Sequence, residues 1–179
     1  MRWRKLLNIE LNRVNAEQFK TLPPSGIAVV LDNIRSAHNV GSVLRTADAF
    51  RADKVFLCGI TPVPPTPEIH KVALGAEFSV DWEHCEQTLD AVARLHAEGW
   101  TVLSIEQTVG SLSLETFLPD PAKKYALVFG SEVGGVDQAV VDASDGVLEI
   151  PQFGTKHSLN ISVSAGVVLW HFTLKKLTR

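Results

Sequence analysis

Short apolar runs rich in β-branched residues recur along this chain and restrict what it can fold into: Ile27 to Leu31 (IAVVL), Lys54 to Cys58 (KVFLC), Thr101 to Ile105 (TVLSI), Tyr125 to Phe129 (YALVF) and Val147 to Ile150 (VLEI). A strand with one wet face alternates apolar and polar residues. The most continuous of these runs do not, so both faces need cover. Stretches with helical spacing lie between them. Val40, Val43, Leu44, Ala47 and Phe50 follow the first run, and Leu89, Val92, Ala93 and Leu95 precede the third, with Gly99 as a stop. Such alternation predicts an α/β fold with a mostly parallel sheet and helices on both faces. Weaker elements complete the order. Residues 59–67 (GITPVPPTP) carry four prolines and read as an exposed loop. Glu68 to Glu77 reads as a short helix, Phe78 to Trp82 as a short strand, Cys85 to Glu98 as a helix, and the turn-rich stretch from Glu106 to Lys124 as a loop.

A chain of 179 residues is long enough for one full core and short for two. The expected division is a short N-terminal extension, 1–24, and a single domain, 25–179. With 45% hydrophobic and 21% charged residues the composition is that of an ordinary globular protein. The formal net charge of −3 means that any nucleic-acid contact has to be local. Cys58 and Cys85 fit no C-x-x-C motif or disulfide framework, which points to a reducing cytoplasm. Asn8, Glu10 and Asn12 interrupt any signal-peptide apolar region, and no segment reaches the length of a membrane span. In the extension, Arg2, Arg4, Lys5 and Arg13 are interleaved with Trp3, Leu6, Leu7 and Leu11. Two readings stand: contact with phosphate, or a solvated helix packed on the domain by its leucines.

The last third carries the densest set of signals. The run ending at Phe129 gives way to Gly130, Ser131, Glu132, Gly134 and Gly135, and the run ending at Ile150 gives way to Pro151 and a polar loop. Ser158 then opens a long helical pattern. Strand ends and helix starts are where α/β proteins bind ligands, because backbone groups there lack partners. Several familiar sites fail on spacing: there is no G-x-G-x-x-G after the first strand, no Walker-type phosphate loop and no G-x-S-x-G around Ser131. The six histidines are scattered without metal spacing.

Three stretches remain: Asn39-Val-Gly41-Ser-Val-Leu-Arg45-Thr-Ala-Asp48, then Phe129-Gly130-Ser131-Glu132-x-x-Gly135, then Ile150-Pro151 with Ser158-Leu159-Asn160-Ile-Ser162. Together and in this order they resemble the SpoU (TrmH-like) family of RNA ribose 2'-O-methyltransferases, over residues 27–172. The resemblance implies a C-terminal part threaded into a deep trefoil knot, which periodicity does not predict. It also implies S-adenosyl-L-methionine (AdoMet) as cofactor, tRNA or rRNA as substrate, and a homodimer formed through the C-terminal helix region. By the same resemblance, backbone at Gly130, Ile150 and Leu159 holds the cofactor. Pro151 fixes the turn beside Ile150. The strand end at Ser104, Ile105 and Glu106 is a further candidate for the adenosine pocket.

Arg45 matches the family's catalytic arginine. A guanidinium keeps its proton in proteins, so an orienting and charge-stabilising role is the physical expectation, with a general-base role as the other reading. Asn39, Glu132, Ser158 and Asn160 match the family's other polar positions. On residue type alone, Asn39 and Ser158 also suit helix caps, Glu132 suits an exposed loop, and Asn160, in the first turn of the last helix, suits local backbone bonding. The final helix, with Val163, Val167, Val168, Trp170 and Phe172 among small residues, fits a subunit interface or the chain's own core equally. Lys71, Lys156, Lys175, Lys176 and Arg179 are candidates for phosphate contacts. The alternative function is a non-catalytic RNA-binding dimer that keeps the fold. Methylation of a nucleotide ligand other than RNA is a third reading.

Overall fold

The computed structural model describes residues 3–177. Among these, seven strands build one sheet: β1 (Ile27–Asp32), β2 (Lys54–Cys58), β3 (Asp81–Cys85), β4 (Trp100–Ile105), β5 (Leu112–Ser113), β6 (Lys124–Phe129) and β7 (Gly146–Glu149). They lie side by side in the order β3-β2-β1-β6-β4-β7-β5, and each pairing is parallel. The helices are α1 (Ala16–Lys20), α2 (Ala37–Ala49), α3 (Pro67–Ala73), α4 (Ala76–Ser79), α5 (Thr88–Ala97), α6 (Gln138–Ala143) and α7 (Ile161–Leu177).

Alternation along the central strands divides the core between the two faces of the sheet. Ile27, Val29 and Leu31 of β1 point to one face, where Val40, Val43 and Leu44 of α2 and Ala165, Val168 and Leu169 of α7 cover them. Ala28 and Val30 point to the other, against Ala91, Val92 and Leu95 of α5 and Val140 of α6. Every residue of β1 is buried, which is why its sequence shows no polar alternation. Each large aliphatic side chain buried in this way contributes about 2 kcal/mol from water exclusion.

Several boundaries differ from the sequence-based expectation, each for a local reason. The helix expected from Glu68 to Glu77 stops at Ala73, because Leu74 and Gly75 turn left-handed with φ of 53° and 93°. A separate turn, α4, follows, and the adjoining strand moves from Phe78–Trp82 to Asp81–Cys85, in register with β2. The loop expected from Glu106 to Lys124 contains the two-residue strand β5, too short to have a periodicity. Helix α5 starts at Thr88 rather than Cys85.

In the extension, Leu6, Leu7 and Leu11 are exposed, so packing by leucines is not what the structure adopts. Arg4 pairs instead with Glu10, which accepts the Leu7 N–H at 2.6 Å. Arg2 and Arg179 lie outside the described residues.

Parallel pairing brings the strand ends of the sheet's centre level with one another. Leu31 faces Phe129, Phe129 faces Ile105, and Ile105 faces Leu148. The loops that leave β1, β4, β6 and β7 therefore converge over one edge of the sheet, as expected for ligand sites in open α/β folds.

Candidate functional site

The loop after β6 closes on itself. Ser131 N–H donates to Gly135 O at 3.0 Å, Gly135 N–H returns to Ser131 O at 2.9 Å, and Gly134 N–H donates to Ser131 Oγ at 3.1 Å. A side chain on Gly130 would place its Cβ 1.9 Å from the Gly135 carbonyl carbon, so Gly130 is needed for the chain's own fold-back as well as beside any ligand. Gly135 has φ of 68°. Two carboxylates from the flanking strands hold the loop: Glu106 Oε2, just beyond β4, accepts Val136 N–H at 3.0 Å, and Asp32 Oδ2, ending β1, accepts Asp137 N–H at 2.8 Å. Asp32 is 2% exposed, and Oδ1 accepts from Thr88 Oγ1 at 2.6 Å and Asn33 Nδ2 at 2.9 Å. A buried carboxylate needs this number of donors. Sequence reasoning did not single out Asp32 as functional; an acidic residue closing an apolar run was the available signal.

Next to this loop is a cavity of about 510 Å³, within the usual size range for small-ligand sites. Ile105, Gly130, Glu132, Ile150, Ser158 and Leu159 from the sequence-predicted set line it. The other predicted residues, Ser104, Pro151, Asn160, Asn39 and Arg45, are outside its lining. Ser104 lies on the other face of the sheet from this cavity. It precedes Ile105 in β4, so it faces the opposite side of the sheet, where it is fully buried and its Oγ lies 2.8 Å from Ser144 Oγ.

At the cavity's mouth three of the predicted polar residues meet. Asn39 Nδ2 donates to Glu132 Oε1, and Asn160 Nδ2 donates to Asn39 Oδ1 at 3.3 Å. Both asparagines differ from expectation in their place relative to a helix start, although Asn39 does donate to Glu132 and Asn160 does bond local backbone. The cap of α2 is Ser36, whose Oγ accepts Asn39 N–H at 3.3 Å, and this leaves the Asn39 amide free to face Glu132. Asn160 precedes α7 instead of lying in its first turn, and Oδ1 accepts Ser162 N–H at 2.9 Å and Ser162 Oγ at 2.6 Å. Ser158 therefore neither caps nor opens the helix.

Arg45 is exposed and does not line the cavity. It stands about 9 Å along α2 from Asn39 and about 120° round the axis. Among the candidate phosphate ligands, Lys71 and Lys156 are exposed, whereas Lys176 is drawn inward. Its Nζ donates to Lys123 O at 2.5 Å and Pro121 O at 3.2 Å, and burial lowers its pKa.

The sequence matches the model of the SpoU rRNA Methylase family over residues 26–170. The chain belongs to that family. A relative from Nitrosomonas europaea, named 23S rRNA (guanosine-2'-O-)-methyltransferase RlmB, is 32% identical over 83% of this chain and 56% of its own length. The protein of the same name from Neisseria meningitidis is 31% identical over 88% of this chain and 62% of its own. The chain thus spans somewhat over half the length of these relatives. Among solved structures, the AdoMet-bound rRNA methyltransferase from Sinorhizobium meliloti superposes with a TM-score of 0.79 at 26% identity, over 89% of this chain and 60% of that one. The seven-stranded parallel sheet is therefore the SpoU-family architecture.

Proposed function

We propose that this chain is an AdoMet-dependent methyltransferase that acts on a ribose 2'-OH of rRNA or tRNA. One observation carries the reading: Asn39, Glu132 and Asn160, from three separate parts of the chain, are hydrogen-bonded in a line at the mouth of the 510 Å³ cavity. The names of the relatives put rRNA first among substrates. The cavity suits the cofactor: Ile105, Ile150 and Leu159 offer apolar walls to an adenine ring, and Glu132 offers negative charge to a cationic donor. When bound, AdoMet supplies a methyl group on a sulfonium to the incoming oxygen.

The chain's own residues orient the acceptor. Glu132 fixes the Asn39 amide, and Asn39 and Asn160 hold each other on the side where a ribose enters. The exposed side chain of Arg45, with no hydrogen bond or ion pair among the described residues, is available to an RNA phosphate. There it orients the backbone and stabilises the charge that develops on the ribose oxygen, while the proton leaves to phosphate or water. The fold around the site is proposed to include the trefoil knot and to function as a cytoplasmic homodimer. In support, α7 buries Ala165, Val168 and Phe172 in its own domain and leaves Val163, Val167 and Trp170 exposed on another face. No helix among the described residues is long and apolar enough to cross a membrane.

Transfer of tritium from labelled AdoMet to bulk rRNA and tRNA tests the proposal. The wild type is expected to label RNA, and Arg45→Ala to lose about a hundredfold or more, the scale for one transition-state charge contact. Equal labelling by both proteins would remove Arg45 from the mechanism.

A further inference from the structure

We propose that Glu106 and Gln107, the two residues that leave β4, form a positioning clamp that holds the loops after β6 and β7 around the cofactor cavity. The proposal rests on the methyltransferase reading for its purpose, though not for its geometry. In the sheet β4 lies between β6 and β7, so residues just past its end sit between the two loops. The chain bends at Glu106, and each of this pair serves one loop.

Glu106 Oε2 accepts Val136 N–H at 3.0 Å, and Oε1 accepts Gln107 N–H at 2.8 Å. The fit to the glycine loop is close: a Cβ on Gly135 would sit 2.2 Å from Oε2. On the other side, Gln107 Nε2 donates to His157 O at 2.6 Å. Between residues 151 and 159 this is the one hydrogen bond found among the described residues. That stretch carries Ser158 and Leu159, which line the cavity, and leads into Asn160 of the polar line. An exposed segment with one tie opens easily, so releasing the tie changes the cavity without touching the core. Both clamp residues line the cavity and neither is deeply buried, so replacing them leaves the packed sheet intact.

The test uses the full chain and two variants. Gln107→Glu keeps the shape of the side chain but replaces the donor with an acceptor facing a carbonyl. Glu106→Leu keeps approximate volume and removes both acceptors. Tryptic cleavage after Lys156, on the exposed stretch that Gln107 ties down, is expected to quicken by about fivefold or more, the worth of one hydrogen bond, for Gln107→Glu, and amide hydrogen exchange in 131–136 is expected to quicken by a similar factor for Glu106→Leu. Exchange in β1, β4 and β6 and the thermal midpoint should stay unchanged, while AdoMet binding by calorimetry weakens by a similar factor or more. Wild-type cleavage after Lys156 in Gln107→Glu together with wild-type exchange in 131–136 in Glu106→Leu, or exchange raised uniformly through the sheet, overturns the clamp. Absence of AdoMet binding by the wild type would instead overturn the methyltransferase reading, and the cleavage and exchange measurements would still decide the clamp.

Discussion

Gly135 shows how much of the site depends on a missing atom. Its φ of 68° is a conformation in which an L side chain is strained, and the Cβ position falls on the Glu106 carboxylate. Gly135→Ala therefore meets two costs, about 1 to 2 kcal/mol from the left-handed backbone and a further cost from displacing Glu106. The loop that carries Glu132 has to move. The expected outcome is a stable protein, by circular-dichroism melting, whose AdoMet affinity and methyl transfer fall at least tenfold. Retention of both at wild-type level would show that the loop's closure is irrelevant to the site. The glycines were legible in the sequence as a flexible loop. Their reason was not, because the atoms that exclude a Cβ come from residues brought in by folding.

At the scale of elements, the edge strand β3 is held by charge as much as by packing. Glu83 accepts hydrogen bonds from Lys54 of β2 and Arg94 of α5, and both cations also lie over the Phe56 ring, at 5.4 Å and 5.0 Å from its centroid. Burial alone raises the Glu83 pKa, but the two donors outweigh it and hold the group below its ordinary 4.5. A carboxylate with a depressed folded pKa stabilises the fold above its unfolded value, and that contribution disappears as pH falls through the folded one. Glu83→Gln should lower stability by about 1 kcal/mol at pH 7, with the difference from wild type closing below about pH 4.5. Urea melts at pH 7 and pH 3 measure this. An equal gap at both values would refute the ionic account. The sequence showed a strand in this region but misplaced it, because α4 is a single turn set up by two left-handed residues.

For the whole molecule, the decisive surface is the face of α7 that its own domain leaves uncovered. Val163 and Trp170 are 50% and 54% exposed, with Val167 between them on the same face, and nothing lies within 4 Å of a Cβ built on Gly166. Such a stripe on a helix otherwise packed in the core suits a two-fold partner approaching closely. Light scattering should give twice the mass of one chain, and Val163→Asp with Trp170→Asp should give single chains that keep their helical spectrum. A wild-type protein of single-chain mass at tens of micromolar would remove the interface.

The runs at Ile27–Leu31, Thr101–Ile105 and Tyr125–Phe129 determined the α/β class and parallel sheet from sequence alone, because burial on both faces acts on each strand locally. The motif residues Asn39, Arg45, Glu132 and Asn160 were legible too, as side chains of unusual type in order. What tertiary structure alone decided is which of them meet. Asn39 reaches Glu132 across 93 residues and Asn160 across 121, while Arg45, on the same helix as Asn39, stays apart. It also decided that Ile105 lines the cavity and Ser104 faces away, since one step along a strand reverses the face. Local pattern fixes which elements form, and the pairing of distant strand ends fixes which side chains share a site.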